Sequence, residues 1–149
     1  MAIIAALITC TGARADRAPD KVELQAAYCI SAIRHMVDAL YRMDRSPPGI
    51  VRGQSPRYVE AENQLSSKAL RFQAFLLPRM QNLDPDPIRL AEKSGDEDMQ
   101  QALHVRAQCI DRCYSSATSK PEMCVESCLQ TSAITHRVAI CGDTSWLPQ

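Results

Sequence analysis

The sequence predicts an all-α protein, an up-down-up-down four-helix bundle with a disulfide-stapled C-terminal helical hairpin. Three observations carry that prediction. Gly is scarce at 5 residues and aromatics make up 5%, while Ala, Leu, Gln, Glu, Arg and Met abound, a composition that favours helices over sheets. Apolar residues recur at steps of three and four along successive segments, as one face of a helix requires. Four of the seven cysteines form two Cys-x3-Cys pairs, Cys109 with Cys113 and Cys124 with Cys128.

The first helix is expected over Lys21 to Asp44. Asp20 and Glu23 form a capping box behind Pro19, and Val22, Ala26, Cys29, Ile33, Met36, Leu40 and Met43 draw one apolar seam. Ser46-Pro47-Pro48-Gly49 ends it, because two prolines and a glycine cannot continue the ladder. Ser55 as cap and Pro56 at the first position announce the second helix, with Tyr58, Ala61, Leu65, Ala69, Phe72 and Leu76 as its seam; Pro78 ends it or kinks its last turn. Asn82 to Pro87 reads as a turn, and Asp86 with Pro87 as the start of a third helix. Ser94-Gly95 should break or bend that helix, with Ser94 and Glu97 forming a fresh capping box. Met99, Leu103, Arg106, Ile110, Cys113 and Ala117 continue the pattern, Arg106 laying its stem over the core edge. A fourth helix should start after Ser119-Lys120-Pro121-Glu122 and end near Cys141, where Gly142 offers a left-handed cap.

Residues 1–15 read as a signal peptide, in which the apolar run Ala2 to Ile8 precedes the small-x-small pattern Ala13-Arg14-Ala15; residues 16–149 then form a single helical domain. Leu7-Ile8-Thr9-Cys10 has the shape of a lipidation box, leaving lipid attachment at Cys10 as the alternative. Export, most simply to a periplasm, follows from either. No stretch reaches the roughly 20 apolar residues of a membrane span. Seventeen basic and seventeen acidic side chains, with no basic tract, argue against a nucleic-acid partner.

Removal of Cys10 with the leader leaves six cysteines, an even set suited to an oxidising compartment. Spacing of i, i+4 puts both thiols of a pair on one helix face, and both pairs are centred on the link between Thr118 and Ser119. The predicted bonds are therefore Cys109 to Cys128 and Cys113 to Cys124. Crossed pairing would displace each bridge by about a helical turn of roughly 5.4 Å. The two cysteines left over, Cys29 and Cys141, are predicted to bond each other, since the start of the first helix and the end of the fourth share one end of such a bundle.

The twin Cys-x3-Cys arrangement from Cys109 to Cys128 resembles the helical hairpin of the small chaperones of the mitochondrial intermembrane space, which escort hydrophobic proteins between membranes. It implies a stapled hairpin. The ten residues between the pairs are fewer than that family usually has, the whole chain is longer and it carries a leader, so the escort role does not carry over. Ala27-Tyr28-Cys29-Ile30 and Ser145-Trp146-Leu147-Pro148 also make the chain similar to small exported alphaproteobacterial proteins of unknown function, which implies a compartment and no activity.

No motif requires a cofactor, and none marks an enzyme. Gly-x-Ser-x-Gly and His-Glu-x-x-His are absent, and His35, His104 and His136 lack the carboxylate spacing of di-iron bundles, which makes them surface or boundary residues. Asp84 and Asp86 fit a turn, and Asp96, Glu97 and Asp98 fit a helix N-terminus. Trp146 is expected to fold back over the bundle end. The function expected is that of an exported, non-enzymatic binding or structural module whose partner is another protein. The alternative is a metal handler, because four facing thiolates suit zinc or Cu(I).

Overall fold

The computed structural model describes residues 17–44, 56–116 and 120–148, together with the helical backbone but not the side chains at 43, 44 and 56–58. Residues 1–15 with Cys10, the Ser55 cap, the turn at 46–49 and Ala117 to Ser119 lie outside them. The chain is all-α, with α1 over Lys21–Asp44, α2 over Pro56–Met80, α3 over Pro85–Ser115, α4 over Pro121–Gln130, α5 over Ala133–Ala139 and a closing 3-10 turn, Ile140–Gly142.

The capping box forms as the sequence indicates. The Glu23 amide donates to Asp20 Oδ1 and the Asp20 amide donates to Glu23 Oε2, both at 2.9 Å, so two amides that the helix start would leave open are satisfied reciprocally. The segment before α1 is tied down as well. The Arg17 amide donates to the Asn82 carbonyl and the Asp84 amide to the Arg17 carbonyl, each at 2.9 Å. These bonds gather the start of α1, the end of α2 and the start of α3 at one end of the molecule, which makes the first three helices run up, down and up.

α1 is the central helix, packing on both α2 and α3. Its small residues Ala26, Ala27 and Ala32 are fully buried beside Ile30 and Ile33, and they let neighbours close in on two sides. Phe72 and Leu76 of α2, Ile88 and Met99 of α3, and Leu83 between them complete the core. Trp146 stacks on Phe72 with ring centroids 5.2 Å apart, so the tail folds back onto the core.

Four local expectations are corrected. The cap of α3 is Asp84 rather than Asp86, because the Asp84 side chain accepts from the Asp86 amide at 3.0 Å and Pro85 takes the first position. No break occurs at Gly95, and Ser94 and Glu97 lie inside an uninterrupted α3. There the missing side chain serves packing: an added Cβ would stand 2.9 Å from the Tyr28 carbonyl carbon and nearer still to its oxygen, so Gly95 lets α3 touch the α1 backbone. The expected fourth helix is divided at Thr131 and Ser132. The Thr131 hydroxyl donates to the Cys128 carbonyl at 2.8 Å and the Thr135 hydroxyl to the Leu129 carbonyl at 2.8 Å, supplying carbonyls that an unbroken helix would have used. Gly142, finally, closes the 3-10 turn outside the left-handed region.

Candidate functional site

Beyond Leu103 the inner face of α3 leaves the core and turns to the hairpin. Cys109 and Cys113 are its buried residues there. Cys109 is bonded to Cys128 and Cys113 to Cys124, with Cα atoms 5.9 and 5.8 Å apart, the two rungs that the spacing requires. Cys29 is bonded to Cys141 across a Cα distance of 5.1 Å, joining α1 to the closing turn.

α4 depends on those rungs. It has 10 residues, none of them buried. A helix of that length is marginal in water unless tertiary contacts hold it, and here two covalent bonds do so. One link closes a loop of 19 residues and the other of 11, worth about 3.2 and about 2.8 kcal/mol by loop entropy.

Pinned to α3 in this way, α4 forms one wall of a groove of about 710 Å³ between α3, α4 and α5. Ile110, Val125, Leu129 and Ala139 supply apolar walls. Tyr114 and Glu122 close one end, where the Tyr114 hydroxyl lies 3.5 Å from Glu122 Oε1. Arg106 and His136 stand at the other. His136 donates from Nε2 to the Gln130 carbonyl at 2.8 Å, which fixes the ring beside the α4–α5 break. Ile110 is 40% exposed and Tyr114 59%, large apolar surface that a packed hairpin would cover. The expected seam through Arg106 and Ile110 is thus corrected: both lie on the open groove, because α3 has left the core at that height.

The remaining polar residues hold the fold. Glu23, 1% exposed, is paired with the Arg17 guanidinium, which holds its carboxyl below the ordinary range against the opposing effect of burial. Tyr28 donates to Asp98 Oδ2 at 3.0 Å, and Arg137 reaches Asp98 Oδ1 at 3.2 Å, tying α1, α3 and α5 together. Burial first, and the Asp98 bond second, push the Tyr28 hydroxyl far up. His35 donates from Nδ1 to Asp96 at 2.7 Å, and Gln108 donates to His104 Nε2 at 3.0 Å. Asp84 and Asp86 sit in the α3 cap, and Glu97 pairs with Lys93 at 3.6 Å. None of these was legible as a pair in the sequence. Among the described residues no group of three or more His, Cys, Asp and Glu is placed to hold a metal ion, and no helix is long and apolar enough to cross a membrane.

Comparison with protein-family models, with curated proteins and with solved structures returned no match. Chemically, the groove offers apolar surface, two carboxylates, a guanidinium and an imidazole committed to a backbone carbonyl. That combination suits binding.

Proposed function

We propose that the protein is an exported, non-enzymatic helical binding module that recognises another protein through the groove of its stapled hairpin. The observation that carries this reading is the pairing of an apolar groove of about 710 Å³ with a helix, α4, that has no buried residue and is held by two disulfides. The rungs draw α4 onto α3 at Cys109 and Cys113, and beside them Ile110 and Tyr114 stay uncovered, 40% and 59% exposed. Three disulfides support export, to a periplasm in the simplest case, since such bonds persist in oxidising compartments. Residues 1–15 serve as the signal peptide in this proposal, with cleavage after Ala15. The competing function, thiol-based zinc or copper handling, needs the hairpin thiols reduced.

The test uses protein purified from the exported fraction of the native host. Thiol titration without reductant should find no reactive thiol in the mature chain, and elemental analysis no stoichiometric metal. Wild-type protein should capture a defined partner from that fraction, and the Ile110→Glu variant should lose it. Four titratable hairpin thiols with bound zinc or copper would transfer the proposal to metal handling. Equal capture by Ile110→Glu would remove the groove from the binding surface.

A further inference from the structure

Charge at the groove rim goes further than apolar area and specifies the class of partner. Glu122 and Glu126 are four residues apart on α4, so they project from one face of the helix, one turn apart, along the same wall. Both are exposed. Glu126 forms no ion pair among the described residues, and the Glu122 carboxylate faces only the long contact from the Tyr114 hydroxyl. Across the groove, Arg106 likewise forms no ion pair among the described residues. Among the described residues that line the groove, α4 therefore contributes two carboxylates and no cation, and the guanidinium of Arg106 lies on α3.

We propose that the groove accepts an amphipathic helical segment of a partner protein, whose apolar stripe seats on Ile110, Val125 and Leu129 while Lys or Arg side chains at i, i+4 spacing meet Glu122 and Glu126. This rests on the groove being the binding surface. Shape favours a helix over a small molecule. Pockets for small apolar ligands enclose most of the ligand surface, whereas this trough between α3, α4 and α5 is open to solvent. The i, i+4 period of the two carboxylates is also the period of a helix laid alongside α4, so one face of the guest meets both. Rim charge pairs in solvent contribute modestly, so two of them set preference and orientation while the apolar anchors set affinity.

Anisotropy of labelled helical peptides, added to the oxidised full chain, tests this. Three peptides share one length: an apolar stripe with a Lys flank, the same stripe with a Glu flank, and the Lys flank with the stripe scrambled. The Lys-flanked peptide should bind about fivefold or more tighter than the Glu-flanked one at low salt, an advantage that shrinks as ionic strength approaches 1 M. Glu122→Lys with Glu126→Lys should invert the preference, and both sites are exposed, so circular dichroism should stay unchanged. The scrambled peptide should not bind. Equal affinity for the two flanks, or binding that survives scrambling, would overturn the proposal. So would tighter uptake of a fluorescent long-chain fatty acid that displaces the peptide, or a dimer in sedimentation equilibrium that Ile110→Glu disperses, since these assign the groove to a small amphiphile or to a second copy. If the partner is still captured through Ile110 while the flanks bind equally, the groove reading stands and the basic-helix inference alone fails.

Discussion

Replacing Gly95 by Ala sets two effects of opposite sign against each other. Gly95 lies in the middle of α3, where Ala is intrinsically better by about 1 kcal/mol, so a purely local view predicts a more stable protein. Against that stands the new Cβ, 2.9 Å from the Tyr28 carbonyl carbon and closer to the oxygen. These are backbone atoms inside α1, and they cannot rotate away. The two helices must separate instead, in a core packed at close to crystalline density. Overpacking of this kind costs about 1–3 kcal/mol. Separation also stretches the bond from Tyr28 to Asp98, now 3.0 Å, at about 1 kcal/mol more. The net expectation is a loss of about 1–3 kcal/mol, or a melting temperature lower by roughly 4–10 °C for a domain of this size. Thermal unfolding by circular dichroism without reductant measures it, with Gly142→Ala as the control, since nothing lies within 4 Å of a Cβ there. An unchanged or higher melting temperature for Gly95→Ala would refute the close approach of α1 and α3.

The Cys29→Ser variant removes the link of sequence separation 112, worth about 4.8 kcal/mol by loop entropy; it should leave Cys141 alkylatable and both hairpin bonds intact on peptide mapping. Acid should expose the Glu23 pair. Its carboxyl is held below the ordinary value by Arg17, so its contribution is present above about pH 4.5 and is lost as pH falls through the lower folded value. Urea midpoints measured from pH 6 to pH 2 should therefore fall less steeply in Glu23→Gln than in wild type; parallel curves would contradict the pairing. Changing all four hairpin cysteines to Ser should collapse amide protection across Pro121–Gln130 to that of a free chain while α1 keeps its own, because α4 has no buried residue to hold it. Retained protection in α4 would show that packing, and not the rungs, holds the hairpin.

Features with a local cause were legible before the structure. The bounds of α1 follow from Asp20, Glu23 and an unbroken seam, and the hairpin register from the spacing of Cys109, Cys113, Cys124 and Cys128. Features created by tertiary approach were not. Gly95 looks like a breaker in isolation, since glycine weakens a helix wherever it stands; its purpose depends on Tyr28, sixty-seven positions earlier in the chain. Asp98 read as a helix-start acid, yet its partners Tyr28 and Arg137 come from α1 and α5. Glu23 was visible as a cap and invisible as a buried ion, because Arg17 precedes the helix and carries no periodic signal. Ile110 fits an apolar period equally well in a core or on an open groove, and periodicity says nothing of where α3 leaves the bundle. The break at Thr131 and Ser132 had a signal in two adjacent hydroxyl residues followed by Thr135, three side chains able to compete for helix carbonyls.

Photo-crosslinking in the native host tests most directly whether the stapled groove is the binding surface. A photoreactive residue is placed at Leu129 inside the groove, or at Leu70, which is 64% exposed on α2 and serves as the apolar surface control. The expected result is a discrete protein adduct from position 129 that is absent from position 70 and disappears when the four hairpin cysteines are replaced by Ser. No adduct at 129, or the same adducts from both positions, would contradict it.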